Sequence, residues 1–384
     1  MATTTEKKKH QKHTKLQKPQ LGNFGRHELS FIGTTCAEMK KLADRITHHL
    51  ASSYKLAYVD AEHSSDDSAP SPVKHTLLYT QRGDSQRFEF STQLNSYHIK
   101  SQFNEIDLVL VNGNHFSAGQ QVVVIDPRKS LQKKGEQLTD VKMIILQEDV
   151  HTVSPEIKDL FENFDSIPIY NISEPEQIAG EVKSLIQQAI PSISGLVLAG
   201  GKSTRMHTDK TVLDYHGKPQ RTHLYELLGD FCDDVFISCR KDQEEQIPDT
   251  YKTIPDVFLE MGPMGAILSA FRRSPNTAWL SVACDLPLLS PESLQYLVEN
   301  RNPSKIATAF NNPDSSFPEP LITIWESRSY PVLLHFLSLG YSCPRKALIN
   351  SDIELLEAPD PRELTNVNRP DEYREALEAI KADA

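Results

Sequence analysis

Apolar positions fall into two successive series in which short continuous runs alternate with segments of helical period. In the first, ELSFIG reads as a buried strand, CAEMKKLADRITHHL as an amphipathic helix and YKLAYVD as a second strand. Beyond a polar loop, HSSDDSAPSP, the segments HTLLYT and QRFEFST alternate as a hairpin does, and IDLVLVNG, QQVVVID and VKMIILQ follow as strands. SPEIKDLFENF opens on a Ser-Pro cap and predicts a helix, IPIYNI a strand and EPEQIAGEVKSLIQQAI a closing helix. In the second series SGLVL, DDVFIS, YKTIP, AWLSVAC, KIATAF and LITIW read as strands. THLYELLGDF, GAILSAFRRS, ESLQYLVEN, YPVLLHFLSLG and PDEYREALEAIKA read as the helices between and after them. Apolar strands separated by helices predict parallel sheets covered on both faces. The expected architecture is therefore α/β in two domains. A basic disordered tail spans 1–25, a first domain 26–190 and a complete second domain 194–384, with PSIS as the short connection.

Composition narrows the classes. A chain of 384 residues exceeds one ordinary core, and 38% hydrophobic with 24% charged residues fits a soluble globular protein. No run approaches the 18 to 20 or so apolar residues of a membrane helix. The start, MATTTEKKKHQKHTKLQKPQ, carries lysines but no apolar stretch, so a cytoplasmic location is expected. A net charge of −11 argues against nucleic acid as a partner, and no membrane partner is expected either. Any anionic ligand must then meet a local basic pocket. The five cysteines contain no CxxC pair and support neither a disulfide framework nor a zinc knuckle. Cys284, in an apolar run, reads as a small buried hydrophobe. His48 and His49, adjacent on a helix, do not face one metal site.

Candidate chemistry concentrates in SGLVLAGGKSTRMHTDKTVL, from Ser194. Ligands of open α/β sheets bind beyond the carboxyl ends of strands. The strand delivers Leu198, Ala199, Gly200 and Gly201 to that edge, where glycine lets backbone amides approach a phosphate. Arg205 offers a planar donor fork and Lys210 a second charge. Asp285, closing the run AWLSVACD, places a carboxylate at the same edge. It reads as a Mg²⁺ ligand, with a turn or helix cap as the structural alternative. Such a set fits in-line attack of a phosphomonoester oxygen on the α-phosphorus of a nucleotide, with pyrophosphate leaving and Arg205 and Lys210 neutralising charge.

The same segments resemble the molybdenum cofactor guanylyltransferases, in register over 194–384. LVLAGGKSTRMHTDKTVL is similar to that family's LAGGxSxRMGxDKxLL, GPMGAILSAF to GPLGGILSAL and VACDLPLLS to LACDMPFLS. FPEPLITIW is similar to PEPLxALY and TNVNRPDEY to NVNTPEDL, while His207 replaces a usual glycine. The resemblance implies a Rossmann-like nucleotidyltransferase fold with a mostly parallel sheet. It also implies transfer of GMP from GTP to molybdopterin with Mg²⁺ at Asp285. It puts Asp256 near the nucleotide and Arg240 where the family has an asparagine on guanine or ribose. Asn366 and Asn368 fall on the pterin and metal side, with helix capping as the alternative, and Glu319 with Pro320 on the wall for the second substrate. Arg345 and Lys346 read as surface charge. Beyond GTP and molybdopterin, the implied partners are molybdoenzymes or other cofactor-synthesis proteins. Alternatives are a cytidylyltransferase, a sugar-phosphate nucleotidylyltransferase, or a non-catalytic cofactor carrier. LAGG, rather than LAAG, favours the guanylyl type, and the set Gly200, Arg205, Lys210 and Asp285 disfavours a carrier.

The first half resembles the P-loop protein that accompanies this enzyme (MobB-like) in its order of elements and in KLAYVDAEHSSDD and IDLVLVNGNHF. From Gly33 it reads GTTCAEMKK, with Glu38, Met39 and Lys40 where GK[ST] is expected. It is read as a degenerate P-loop-like α/β domain without NTP hydrolysis, with Lys40 and Lys41 on a solvated helix face.

Overall fold

Neighbouring parallel strands need a crossover of a dozen or more residues between them, usually a helix. The computed structural model describes residues 16–61, 76–200, 210–312, 315 and 317–383. It forms two units, Gln20–Ile190 and Pro191–Ala384, the second also taking in described residues 16–19.

The unit Gln20–Ile190 runs β1 (Glu28–Ile32), α1 (Cys36–Leu50), β2 (Leu56–Val59), β3 (Leu77–Arg82), β4 (Ser85–Phe90) and α2 (Ser96–Gln102). It continues through β5 (Leu108–Asn112), β6 (Gln120–Ile125), β7 (Val141–Leu146), α3 (Pro155–Lys158), β8 (Ile169–Asn171) and α4 (Pro175–Gln188). Its main sheet has the order β2-β5-β1-β6-β7-β8, all parallel, and β3 and β4 form the expected hairpin. Met39, Leu42 and Ile46 of α1 and Ile178, Val182 and Ile186 of α4 bury against one face with Phe31 and Leu110. These are positions three or four apart, the helical stripe read in the sequence. Two expectations are corrected. The helix at SPEIKDLFENF stops at Lys158, because bonding tightens to Leu160 N with Ile157 O and Phe161 N with Lys158 O, a 3₁₀ pattern. The tail read to residue 25 ends earlier among the described residues. Asn23 and Phe24 amides donate to the Glu28 carboxylate at 2.9 Å each, and the Phe24 ring meets Phe103 and Phe116 edge-on. Residues 1–15 of the tail and the loop HSSDDSAPSP lie outside the described residues. Helix α2 was not foreseen, since it buries none of its residues and so shows no apolar stripe.

The unit Pro191–Ala384 runs β9 (Ile193–Leu198), α5 (Gln220–Gly229), β10 (Asp234–Cys239), β11 (Thr253–Pro255), α6 (Pro263–Arg273), β12 (Ala278–Ala283) and α7 (Pro291–Glu299). It ends with β13 (Ala307–Asn312), β14 (Phe317–Trp325), α8 (Ser329–Ser338), α9 (Pro344–Ile349), β15 (Glu354–Leu356) and α10 (Pro370–Asp383). The sheet order is β11-β10-β9-β12-β14-β13-β15. Four of its six pairings are parallel, and β14 is antiparallel to β12 and β13. The reversal follows from chain length: Asn312 pairs with Phe317, and so short a link permits only a hairpin. Leu224, Leu228, Leu294 and Leu297 cover one face. Ile267, Leu268, Phe271 and Leu333 cover the other, around the buried indoles of Trp279 and Trp325. Among the described residues no helix is long and apolar enough to cross a membrane.

Candidate active site

Strands β9, β10 and β12 end side by side, and the chemistry-bearing side chains follow them. Ala199 N donates to Ser238 O at 3.0 Å, which extends the β9–β10 ladder up to Gly200. A Cβ on Gly200 would stand 2.8 Å from Asp256 Oδ2, so glycine lets the strand end pass against that carboxylate. Ser238 Oγ donates to Asp256 Oδ1 at 2.7 Å. Burial raises the Asp256 pKa, while Ser238 and the Arg240 charge pull it back. Arg240 reaches the same corner: its guanidinium donates to Gly200 O at 3.1 Å and pairs with Asp242 at 3.1 Å. Gly200, Arg240 and Asp256 are thus together at one corner of the sheet edge.

Asp285 follows β12, and its carbonyl accepts from Val367 N at 2.8 Å, tying the strand end to the segment before α10. Its Oδ1 is buried without a hydrogen-bond partner. Burial pushes this carboxyl up to about 6; the Lys210 charge opposes the shift and the Glu319 charge adds to it. Lys210 Nζ donates to Asn368 Oδ1 at 2.5 Å. The amides of Asn368 and Arg369 are instead satisfied by Glu372 Oε2, so the Asn368 side chain is not spent as a cap. Asn366 Oδ1 is a second buried oxygen without a partner. A cavity of about 1070 Å³ is lined by Leu198, Gly200, Lys210, Arg240, Asp256 and Asp285. Its size suits a nucleotide and more.

Glu319 has no exposed surface. It accepts from Asn312 Nδ2 at 2.9 Å and Leu321 N at 3.1 Å, with Arg345 at 3.4 Å. It therefore lies beneath the wall it was expected to form, and Leu321 lines the cavity instead. Arg345, read as surface charge, is half-buried by this pairing. Gly201, Arg205 and His207 lie outside the described residues. Sequence reasoning missed Phe258, Glu260 and Gly262, which also line the cavity. Glu260 and Gly262 hold φ of 63° and 55°, and only the Gly-Pro before α6 hinted at a tight turn here.

In the other unit, Met39 is buried, Glu38 pairs with Lys41 at 3.2 Å and Lys40 with Asp44 at 3.4 Å. The lysines lie on an exposed helix face.

The C-terminal unit thus presents a glycine, a lysine and a buried carboxylate at the carboxyl edge of its central strands, where open α/β sheets take their ligands. Residues 195–352 match the family model of the MobA-like NTP transferase domain. Over 180 residues the chain is 33% identical to the molybdenum cofactor biosynthesis bifunctional protein of Synechocystis, covering 47% of this chain and 52% of that one. The match thus spans about half the length of that relative. The molybdenum cofactor guanylyltransferase of Pseudomonas putida is 28% identical over 190 residues, covering 49% of this chain and 98% of that one. Among solved structures, molybdopterin-guanine dinucleotide biosynthesis protein A from Archaeoglobus fulgidus aligns with a TM-score of 0.42 at 20% identity, over 49% of this chain and 99% of that one.

Proposed function

We propose that the C-terminal unit transfers GMP from GTP to molybdopterin, forming the guanine dinucleotide and releasing pyrophosphate. The observation that carries this reading is the Asp285 carboxylate: a buried oxygen without a partner, at the carboxyl edge of β12, within the influence of the Lys210 charge and on the wall of the large cavity. Such an oxygen suits a hard cation. Among the described residues no group of three or more His, Cys, Asp or Glu could hold a metal, so most ligands would come from substrate and water. Asp285 would hold Mg²⁺, with Asn366 Oδ1 as a further oxygen, and the ion would neutralise phosphate charge when bound.

The protein's own work is positioning and charge compensation. Gly200, without a side chain, lets backbone approach the phosphates, and Lys210, held by Asn368, balances the charge that builds on the α-phosphate and pyrophosphate. Arg205 joins this set on the sequence motif. An oxygen of the acceptor's terminal phosphate attacks the α-phosphorus; the bond from that phosphorus to the bridging oxygen breaks, and pyrophosphate leaves. The attacking phosphate is already ionised near neutral pH, so no protein base is required. Support comes from the family match and the named relatives.

The test is pyrophosphate release with GTP, CTP, ATP and UTP at equal concentration, with Mg²⁺ and molybdopterin. GTP is expected to be fastest. Faster product formation from CTP would replace the guanylyl reading with a cytidylyl one, and no release with any nucleotide would leave a carrier.

A further inference from the structure

The carboxyl edge of the N-terminal sheet holds a cluster that nucleotide chemistry does not use. After β1 the chain turns through Gly33 and enters α1, whose first residue is Cys36, with Thr35 as its N-cap. The end of β2 brings Tyr58 and Asp60, and the end of β5 brings Asn112, Asn114 and His115. His115 Nε2 lies 3.3 Å from Cys36 Sγ. Asn114 Nδ2 donates to the same sulfur at 3.5 Å and to Thr34 O at 3.1 Å, which fixes the loop against the helix start. Asp60 Oδ1 stands 3.9 Å from His115 Nε2. Asp60 is held in turn by Asn112 Nδ2 at 2.7 Å and the Tyr58 hydroxyl at 2.9 Å. Cys36 is half-buried, and the side chains of His115 and Asp60 keep 18% and 27% of their surface, so the sulfur lies within reach of solvent.

We propose that Cys36 and His115 form a nucleophile–base pair, and that this edge of the sheet is a site of thiol–disulfide exchange with low-molecular-weight disulfides. Three features converge on the sulfur. An imidazole nitrogen sits within proton-transfer reach, an amide donates to the sulfur, and a 15-residue helix points its N-terminal end at it. Three of the other described thiols differ: Cys239 and Cys284 are buried, and burial pushes Cys232 and Cys239 up to about 12.

The class of electrophile follows from the surrounding charge. Acyl or phosphoryl transfer builds an oxyanion that needs donors or cations aimed at it. Here the charged group beside the imidazole is the Asp60 carboxylate, and the Tyr58 hydroxyl and the Asn112 amide are already given to it. Disulfide exchange builds no oxyanion and needs only a thiolate and a sulfur within reach. In the step, His115 Nε2 takes the proton of the Cys36 thiol, and the thiolate attacks one sulfur of RS–SR. The Cys36–SR bond forms as the RS–SR bond breaks, and the departing thiolate takes the proton from His115. Cys36 is oxidised to the mixed disulfide and one RS group is reduced to thiol. Asp60 steadies the imidazolium meanwhile.

The test exposes the full chain to 2-hydroxyethyl disulfide at neutral pH and follows each cysteine by peptide mass mapping. Cys343, which is exposed, serves as the internal reference. Cys36 is expected to form its mixed disulfide at least about tenfold faster than Cys343. His115→Gln should bring Cys36 to the Cys343 rate. Asp60→Asn, which keeps the imidazole, should slow Cys36 severalfold and decides the base's role if His115→Gln does not fold. A native Cys36 no faster than Cys343, or a Cys36 rate indifferent to the folded variants, overturns the proposal.

Discussion

Asp285 keeps a carboxylate where its surroundings oppose the charge. Its pKa is raised to about 6, chiefly by burial, against an unfolded value near 3.9. Between about pH 4 and 6 the native state binds more protons than the unfolded one. Stability from this group is therefore present below that window, lost as pH rises through it, and stays lost above it, by at most roughly 3 kcal/mol. Asp285→Asn is expected to melt no lower than wild type at pH 7.5, to flatten this part of the pH profile, and to lower Mg²⁺-dependent pyrophosphate release by about 100-fold or more, since a neutral amide binds Mg²⁺ poorly. Melting curves at pH 4.5 and 7.5 with a turnover assay check it; near-normal turnover at saturating Mg²⁺ removes Asp285 from the site. His223 acts in the opposite direction. Burial, then the charges of His216 and Lys218, lower its pKa to about 4, and its ring stacks on His216 with centroids 3.8 Å apart. The native state binds fewer protons between about pH 4 and 6.5, so stability from this group is lost as pH falls through that window. His223→Gln is expected to remove that acid loss, seen as a smaller drop in melting temperature between pH 7 and 5. An unchanged drop would show that His223 titrates normally in the fold.

At the scale of elements, two helical glycines give opposite expectations for the same substitution. Glycine in an exposed helix interior costs about 1 kcal/mol relative to alanine. Gly180, in α4, has nothing within 4 Å of an added Cβ, so Gly180→Ala should stabilise by up to that amount. At Gly265, in α6, a Cβ would stand 2.2 Å from Phe258 O, a backbone atom that cannot rotate away. Gly265→Ala should destabilise by about 1–3 kcal/mol despite its better helix propensity. Urea unfolding of the two variants checks the pair, and equal signs would refute it. The contact at Gly265 joins residues seven apart across a turn in which Glu260 and Gly262 take positive φ. The sequence showed the glycine but not what presses on it. Strands and most helices were legible because their apolar positions repeat with the element's own period. The direction of β14 was not, because apolar runs look alike in parallel and antiparallel strands. Lys210, Asp285 and Gly200 were legible because they close or follow such runs. The burial of Glu319 was not, since Asn312 and Arg345 that surround it come from other parts of the chain.

At the scale of the whole molecule, the six hydrophobic clusters found among the described residues fall wholly within one unit or the other. Three belong to Pro191–Ala384 and three to Gln20–Ile190. A segment with its own core can fold alone, so residues 20–190 expressed by themselves should give a cooperative melt. Their capacity for nucleotide is a separate matter, decided at the turn after β1. A working phosphate loop needs amides that wrap the phosphate and a lysine that reaches its outer oxygens. Here Gly33 takes φ of 101°, and an added Cβ would meet Val124 O at 2.3 Å, so the turn is pressed against β6. Thr34 Oγ1 donates to Asp126 Oδ2 at 2.5 Å, and Thr35 Oγ1 accepts the Glu38 amide. Glu38 itself adds a carboxylate at the helix start, Met39 points into the core, and Lys40 and Lys41 pair along the helix with Asp44 and Glu38. A carboxylate facing triphosphate is unfavourable by on the order of 1 kcal/mol even when screened. Titration calorimetry of residues 20–190 with GTP and Mg²⁺ is therefore expected to show no binding in the micromolar range. A one-to-one isotherm there would mean that this turn holds phosphate without the glycine and lysine that such loops otherwise use.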